Sequence, residues 1–346
     1  MAYLRLIGFP EENVMRCLLL AVSVSLFSAS PAFARKQYMD AFKAKYPKVA
    51  NATKITCAAC HPAKSKKVRN EYGKALADAL GAKKVKDKDL IATALVKLEN
   101  QKSTVPGKTY GQLFAAGGTP DGFVPIFDGK TLDGWDGNPK LWKVEDGAIT
   151  GTTTDDDPIK ANTFIIWKGG KPANFEIEFE YKILGAKGNS GMQYRSFMLK
   201  DRGKWAVGGY QADFETGKTY SGILYGEQFR GILANRGEKK ELLRNGDKLE
   251  KKKVGEVGKS DEIQKNNKPK DWNKYHVSAK GFHFVHKING MVTCECTDKD
   301  EKMRRKDGIV AFQVHQGPAM KVQVRNIRLK VLGDMPAKSA EMKSDK

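Results

Sequence analysis

The sequence predicts a multidomain protein in which a small all-α unit precedes an all-β jelly roll or sandwich. Apolar residues recur at helical spacing between residues 35 and 103, and from 123 onward they recur at every second position. The stretch between them, 104–122, is rich in Gly and Pro and is predicted to be a linker. A chain of 346 residues has room for two such domains.

Residues 1–34 are predicted to be a signal peptide. A short basic region starts at Met15, the run CLLLAVSVSLF supplies an apolar core, and SPAFA ends in a small-x-small cleavage site after Ala34. The acidic residues before Met15 suit the start of a signal poorly, so translation could begin at Met15. The core is too short for a stable membrane span. We therefore expect a periplasmic or secreted protein, cleaved near Ala34.

Three helices are predicted in residues 35–103. Their apolar residues share a face at spacings of three and four: Tyr38, Phe42 and Tyr46; Val68, Tyr72, Leu76 and Leu80; Leu90, Ile91, Ala94, Leu95 and Leu98. Gly81 is suited to stop the second helix, and Asp87 or Asp89 can cap the third.

The second half of the chain, 123–334, is predicted to consist of short strands. FEIEFEYKI alternates apolar and polar residues, and FHFVHKINGMVTCEC predicts a hairpin because Asn289-Gly290 suits a tight primed turn. Many short strands with turns between them are typical of a sandwich or jelly roll. The Lys- and Glu-rich segment 237–270 is predicted to be a mobile loop, and 335–346 a disordered tail.

The motif CAACH places Cys57, Cys60 and His61 within five residues. A zinc site would need further ligands nearby, a thioredoxin-like dithiol would follow a strand, and a plain disulfide gives no role to the histidine. Covalent haem uses all three residues, because the cysteines can form thioethers and the histidine can bind iron. The motif therefore predicts haem c. No Met or His lies between His61 and residue 104, so the sixth ligand could be Met39, a lysine, or absent.

The stretch CAACHPAKSKKVRNEYGKALADALGAK resembles the small cytochrome c-like domains that are fused to other modules in exported bacterial proteins. This resemblance implies an electron-transfer unit. The net charge of +21 is mostly lysine spread among Asp and Glu, without a basic stripe with interleaved aromatics. We expect no nucleic-acid partner, and a surface that could dock acidic partners or anionic polymers.

Three strands of the second half are predicted to bury one face and to expose amides, arginine and histidine on the other. GMQYRSF, GGYQADFE and IVAFQVHQG place Gln193, Arg195, Gln211, Asp213, Gln313 and His315 on that polar face, and the neighbouring YSGILYGEQFRGILANRG adds Tyr225, Glu227 and Arg230. Side chains that both donate and accept hydrogen bonds suit sugar hydroxyls. His276, His283 and His286 are expected to be surface or satisfied core residues, and Cys294 and Cys296 free core thiols.

Several segments in order resemble the 3-keto-disaccharide hydrolase family: GFVPIFDGKTLDGWDGNPKLWKVEDGAITGT, FEIEFEYKILGAKGNSGMQYRS, DWNKYHVSAKG with HKINGMVT, and VQVRNIRLK. The resemblance spans Gly122 to Leu332. It implies a jelly roll of the laminin G or concanavalin type that acts on oxidised glycosides. The chain departs from the family pattern, because Gln211-Ala212-Asp213 stands where many members carry Glu-x-Gln.

The implied chemistry assigns expected roles to these residues. His315 would be the base that removes the proton beside the ketone, and Arg195 would hold the enolate oxygen. Asp213 or Glu227 would act as acid or bind a divalent metal. The expected substrate-binding residues are Gln193, Gln211, Gln313, Tyr225 and Arg230.

Three functions are compatible with these residues. The first is an exported hydrolase of 3-keto-glycosides whose haem unit serves a sugar dehydrogenase or another redox partner. The second is a non-catalytic domain that binds carbohydrate or polysaccharide beside a haem module. The third is an electron-transfer protein with a scaffold domain. Loss of a keto-sugar with time distinguishes the first from the others.

Overall fold

The computed structural model describes residues 33–52, 56, 59–61 and 68–333 of the chain. The predicted signal peptide lies outside the described residues except for its last two positions, and Cys57 and the predicted tail 335–346 also lie outside them. Within these ranges the chain forms a helical unit with its own apolar core, followed by a β-sandwich with a larger one.

The helical unit contains five helices in the described residues. They are α1 (Phe33–Lys45), α2 (Pro47–Ala52), α3 (Glu71–Leu80), α4 (Lys88–Glu99) and α5 (Tyr110–Ala115). The predicted ends of α3 and α4 are confirmed. Gly81 ends α3 in the left-handed conformation at φ +62°, and the Asp87 carboxylate accepts the first amides of α4.

The segment predicted as a linker takes part in the helical core, so the prediction of a linker from residue 104 is wrong in this respect. Thr109 and Gln112 form a reciprocal capping box at the start of α5. On the buried face of α5, the ring of Phe114 packs against Phe42 and the ring of Tyr110 packs against Tyr72. The Gly and Pro content predicted a linker without regular structure. Tyr110, Leu113 and Phe114 instead lie on one face of α5 and are buried in the helical core.

The sandwich contains seventeen strands within the described residues. They are β1 (Val124–Pro125), β2 (Trp135–Asp136), β3 (Trp142–Glu145), β4 (Ala148–Thr152), β5 (Thr163–Trp167), β6 (Phe175–Gly185), β7 (Asn189–Met198), β8 (Val207–Glu215), β9 (Leu224–Glu227), β10 (Gly231–Ala234), β11 (Glu238–Asn245), β12 (Lys248–Glu256), β13 (Asn273–Lys280), β14 (His283–Ile288), β15 (Met291–Asp298), β16 (Ile309–Val314) and β17 (Met320–Val331). One α-helix, α6 (Ser260–Lys265), and one short 3₁₀ helix (Lys200–Arg202) interrupt the described strands.

The strands form two sheets. One has ten strands in the order β12-β11-β15-β14-β13-β6-β17-β4-β3, with β1 paired to β17. The other has seven, in the order β10-β9-β8-β7-β16-β5-β2. Residues of β6 alternate buried and half-buried as predicted, and their buried side meets the inner side of the smaller sheet in one apolar core. The prediction of an all-β sandwich is confirmed.

Two predicted segments near the end of the sandwich have opposite outcomes. The hairpin is confirmed, because Asn289 at φ +49° and Gly290 at φ +85° form a turn between β14 and β15. The mobile loop predicted for 237–270 is wrong, because β11 and β12 pair as a hairpin and β11 runs parallel to β15. Leu242 is the buried residue of β11, and one apolar anchor in a lysine-rich strand gives little periodic signal.

Candidate functional site

A polar cluster lies on the outer face of the seven-stranded sheet. Strands β7, β8 and β16 turn Met192, Ala212 and Phe312 into the core, and the alternate residues Gln193, Gln211 and Gln313 point to the other side. The Gln193 amide donates to Gln211 Oε1, which also accepts from Gln313 Nε2 at 3.3 Å. All three amides are buried, so this face is an ordered network beneath the surface and not a plain wet face.

Two buried carboxylates complete the cluster. Asp213 accepts from Gln211 Nε2, and Glu227 accepts from Gln313 Nε2 at 3.4 Å. Asp213 is 5% exposed and Glu227 4%. Burial raises the pKa of Asp213 well above its usual 3.8, the Gln211 amide opposes this shift, and the charge of Glu227 adds to it. The carboxyl of Asp213 is therefore suited to hold a proton.

The rim of the cluster is half-buried and consists of Tyr225, His315 and Asn162. Tyr225 lies opposite Gln211 in the sheet register, and its pKa is raised by burial and by the charges of Glu227 and Asp213. His315 follows β16 two residues after Gln313, and its Nδ1 contacts the carbonyl of Gln316. Asn162 donates to Glu227 Oε1 at 3.1 Å. Sequence reasoning missed Asn162 because no motif surrounds it.

One buried acceptor in the cluster lacks a donor. Gln313 is fully buried, and its Oε1 has no hydrogen-bond partner among the described residues. An orphaned buried acceptor is costly unless a ligand or water supplies the donor. Phe164, the sheet partner of Gln313, belongs to a small buried apolar cluster with Ala311 and the half-buried Trp205. The unmet acceptor suits a ligand that carries hydroxyl groups.

Arg195 is not part of this cluster, and the expectation that it faces a ligand is wrong. The register shifts between Tyr194 and Phe197, where Arg195 adopts φ +45°. Its fully buried guanidinium donates to the carbonyls of Ala173 and Gly281 and lies over the ring of Phe284. The bulge breaks the alternation on which the expectation rested.

Arg230 also lies elsewhere, so the expected substrate contact is wrong. Its guanidinium, 4% exposed, forms ion pairs with the fully buried carboxylates of Asp298 and Asp300 and donates to Tyr210 Oη at 3.0 Å. Arg244 closes the network on Asp300 at 2.6 Å. The arginine therefore ties the β9–β10 turn to the end of β15 and to the segment that follows it. The two aspartates lie 68 and 70 residues further along the chain, and no sequence pattern connects them to Arg230.

The donor set of the cluster does not fit a divalent metal. Both oxygens of Glu227 accept amide protons, and one oxygen of Asp213 does the same. In the described ranges no group of three or more His, Cys, Asp or Glu side chains is arranged around a common point for a metal ion.

The described part of the CAACH motif is held at the start of α3. Asn70 caps the helix through Gly73 N at 2.8 Å, and its amide donates to the carbonyl of Ala59 at 2.8 Å. A Cβ on Gly73 would lie 2.6 Å from the Cys60 carbonyl, so glycine permits this approach. His61 Nδ1 contacts the Val68 carbonyl at 2.8 Å, which leaves Nε2 as the nitrogen suited to iron.

Residues outside both sites have structural roles. His286 is fully buried between the hydroxyls of Tyr194 and Tyr275, at 3.0 and 3.3 Å. His276 and His283 lie on the sheet surface beside Glu176 and Thr297. Cys294 and Cys296 are buried free thiols, as expected. None of the described helices is long and apolar enough to cross a membrane.

The fold and the site define the class of protein: a two-sheet β-sandwich with a carboxylate- and amide-rich cluster on one outer sheet face. The chain belongs to the family of 3-keto-alpha-glucoside-1,2-lyase-like domains, whose pattern matches residues 122–330. The sequence resemblance for Gly122 to Leu332 is confirmed over that range, and the sandwich is glycoside hydrolase-like by family. The cytochrome c-like identity of the helical unit stays a prediction.

Individual relatives cover only parts of the chain or share little identity. A 3-keto-disaccharide hydrolase of Bacteroides thetaiotaomicron is 39% identical over 88 residues, which are 21% of this chain and 27% of that protein. The match thus spans about a quarter of that relative. A structure described as a glycosyl hydrolase from Parabacteroides distasonis shares 22% identity over 62% of this chain and 95% of its own, with a TM-score of 0.39. The carbohydrate-binding module CBM66 from Bacillus subtilis shares 13% over 57% and 95%, with a TM-score of 0.36.

Proposed function

We propose that the sandwich cleaves 3-keto-glycosides by proton abstraction beside the ketone, elimination of the anomeric substituent, and hydration. The observation that carries this proposal is the buried cluster around Asp213 and Glu227, which lies inside the family-matched region. Asp213, whose pKa is raised by burial and by the charge of Glu227, is suited to be an acid, and His315, which follows Gln313 just after β16, is suited to be a base. The family match supports the substrate class.

The chemistry balances without an oxidant or a metal. The ketone at the third sugar carbon acidifies the hydrogen on the second carbon, and a base takes it as a proton, leaving an enolate. When the enolate collapses, the bond from the anomeric carbon to its substituent breaks, and the leaving oxygen takes a proton from an acid. Water then adds across the new double bond, with hydroxyl on the first carbon and hydrogen on the second. The net result is hydrolysis.

The rim and the cluster provide a group for each step. His315, half-buried at the rim, is the base, and Asp213, whose pKa is raised by burial, is the acid. Arg195 lies elsewhere, so the Tyr225 hydroxyl is the donor left to stabilise the enolate oxygen. The orphaned oxygen of Gln313 accepts a sugar hydroxyl. Gln193 and Gln211 hold the acid in place.

A chromogenic 3-keto-glucoside tests this proposal. We expect aglycone release by the wild type and a loss of about 10²–10⁴-fold in kcat for Asp213→Asn and for His315→Ala, as for general acids and bases. Glu180→Gln, which changes a carboxylate on the other sheet, is the matched control and should keep full turnover. Saturable binding of unoxidised glycan without turnover would instead support a carbohydrate-binding domain. Full turnover by His315→Ala would overturn the base assignment.

We also propose that the helical unit carries haem c, attached through Cys57 and Cys60 and bound to iron by His61. The His61 contact to Val68 and the packing of Gly73 on Cys60 support this proposal. So does Tyr72, whose hydroxyl is buried beside Cys60 and has no hydrogen-bond partner in the described part of the chain. A haem bound here would supply one-electron transfer.

The haem proposal is tested by an absorption spectrum of protein made with a c-type maturation system. We expect a Soret band that survives denaturation, because thioether bonds hold the group covalently. Cys60→Ser should weaken that attachment, and His61→Ala should change the band position while attachment persists. A spectrum without a Soret band would contradict the proposal. The same proposal includes export of the protein to the periplasm or out of the cell. It also includes a sugar dehydrogenase or another redox partner for the haem unit.

A further inference from the structure

Asn162 lies where two parts of the cluster meet. Its amide nitrogen donates to Glu227 Oε1 at 3.1 Å, and its carbonyl oxygen accepts from the backbone of Gln316 at 2.9 Å. Glu227 ends β9, and Gln316 follows His315 after β16. The planar amide of Asn162 thus joins the buried carboxylate of Glu227 to the backbone next to His315. Both hydrogen bonds hold the Asn162 amide in the same orientation.

The connection that carries His315 has two further anchors, and neither reaches the cluster. The exposed Asp155 accepts from the amide of Ala319 at 3.1 Å. Thr153 exchanges two bonds with Met320, at 3.0 and 3.1 Å. The segment before β5 therefore holds the β16–β17 connection at three points, and Asn162 is the one of these three that also contacts a cluster carboxylate.

We infer that Asn162 is a positioning residue that sets the placement of His315 relative to Glu227 in the sugar site. This inference deepens the proposed function and rests on it. Asn162 acts through Glu227 and through the backbone of Gln316, which adjoins the base His315, so its loss displaces the base and leaves the substrate contacts of Tyr225 and Gln313 in place. The effect falls on kcat and spares KM, since misplacement of a catalytic group slows the step without removing ground-state contacts.

Two substitutions separate the two bonds of the amide. Asn162→Ala removes both. Asn162→Asp keeps an acceptor for the Gln316 amide, but it replaces the donor to Glu227 by a like charge. Asp155→Ala is the matched control, since it removes one anchor of the same connection and leaves Asn162 intact.

The experiment measures kcat and KM on a chromogenic 3-keto-glucoside and amide hydrogen exchange at Gln316 by NMR. We expect about a 10²-fold loss of kcat with little change of KM for both Asn162 variants, the scale of a roughly 1 Å misplacement. Asp155→Ala should keep kcat close to the wild type. Exchange at Gln316 should accelerate in Asn162→Ala and stay slow in Asn162→Asp.

The outcomes separate the inference from the proposed function. Wild-type kcat retained by Asn162→Ala, or a similar loss in Asp155→Ala, would overturn the positioning role. Unchanged exchange at Gln316 in Asn162→Ala would also overturn it, because the bond would then not hold the connection. A wild type without turnover on any 3-keto-glycoside would overturn the proposed function, and the exchange measurement would still decide whether Asn162 anchors Gln316.

Discussion

Replacing Arg230 tests whether this arginine holds the fold or the substrate. Arg230→Met keeps most of the side-chain stem but removes the guanidinium that pairs with Asp298, whose carboxylate is fully buried. In that variant Asp300 keeps its ion pair with Arg244, whereas the donors that the described residues leave to Asp298, among them the Tyr210 hydroxyl, are neutral. Leaving a buried charge without its counter-ion costs about 3–5 kcal/mol. We expect a loss of that size in the free energy of unfolding.

Urea unfolding followed by tryptophan fluorescence measures this loss in the right part of the molecule. All five tryptophans lie between residues 135 and 272, so their emission reports on the sandwich and not on the helical unit. The exposed Arg202 donates to Gln228 Oε1 at 2.7 Å, and Arg202→Met should stay within about 0.5 kcal/mol of the wild type. Arg230→Met combined with Asp298→Asn should recover part of the loss, because the unpaired charge is removed.

A different result would restore a substrate role to Arg230. If Arg230→Met unfolds like the wild type while KM for a 3-keto-glucoside rises, the guanidinium contacts the ligand, and its ion pairs with Asp298 and Asp300 do not stabilise the fold. If stability falls and KM is unchanged, Arg230 holds the fold and does not contact the substrate.

Three further predictions follow from buried or crowded positions. His286 has its pKa lowered to about 3 by burial, so the native state stays unprotonated below pH 6.5 while the unfolded state binds a proton. The free energy of unfolding should therefore fall by about 1.4 kcal/mol per pH unit as the pH drops from 6.5 towards 3. In urea titrations His286→Asn should remove this slope. The control His283→Asn, at an exposed position, should keep it. Gly73→Ala should destabilise the helical unit by about 1–3 kcal/mol, because the new Cβ meets the Cys60 carbonyl. Circular dichroism should show this loss as a lower melting temperature. An unchanged melting temperature would contradict this packing. Gly290→Ala should cost about 1–2 kcal/mol by tryptophan fluorescence, since the turn needs φ +85°, and no loss would show that the turn can change type.

The sequence predicted the sheet faces well wherever the alternation was unbroken. Phe175 to Ile183 alternate along β6, and each predicted core residue is buried. The period of two follows directly from strand geometry, so it survives without knowledge of the neighbours. The same rule identified Gln193, Gln211 and Gln313 as one polar face, and the structure joins them in one network.

The errors occur where distant or irregular contacts decide the outcome. Arg195 lies in a bulge that no residue pattern marks, and Arg230 is fixed by aspartates from another strand. Asn162 could not be found because its two partners lie 65 and 154 residues away. Alternation also predicts which side a residue faces, but not that the amides on the outer side are buried.

In the proposed mechanism, cleavage proceeds through loss and return of the hydrogen on the second sugar carbon. The most direct measurement is proton NMR of a 3-keto-glucoside turned over in D₂O, with substrate alone as the exchange control. We expect a product that carries solvent deuterium at that carbon in step with aglycone release, and a slower appearance of both with Asp213→Asn. Aglycone released with the original hydrogen still in place would contradict it, because direct displacement at the anomeric carbon never breaks that bond.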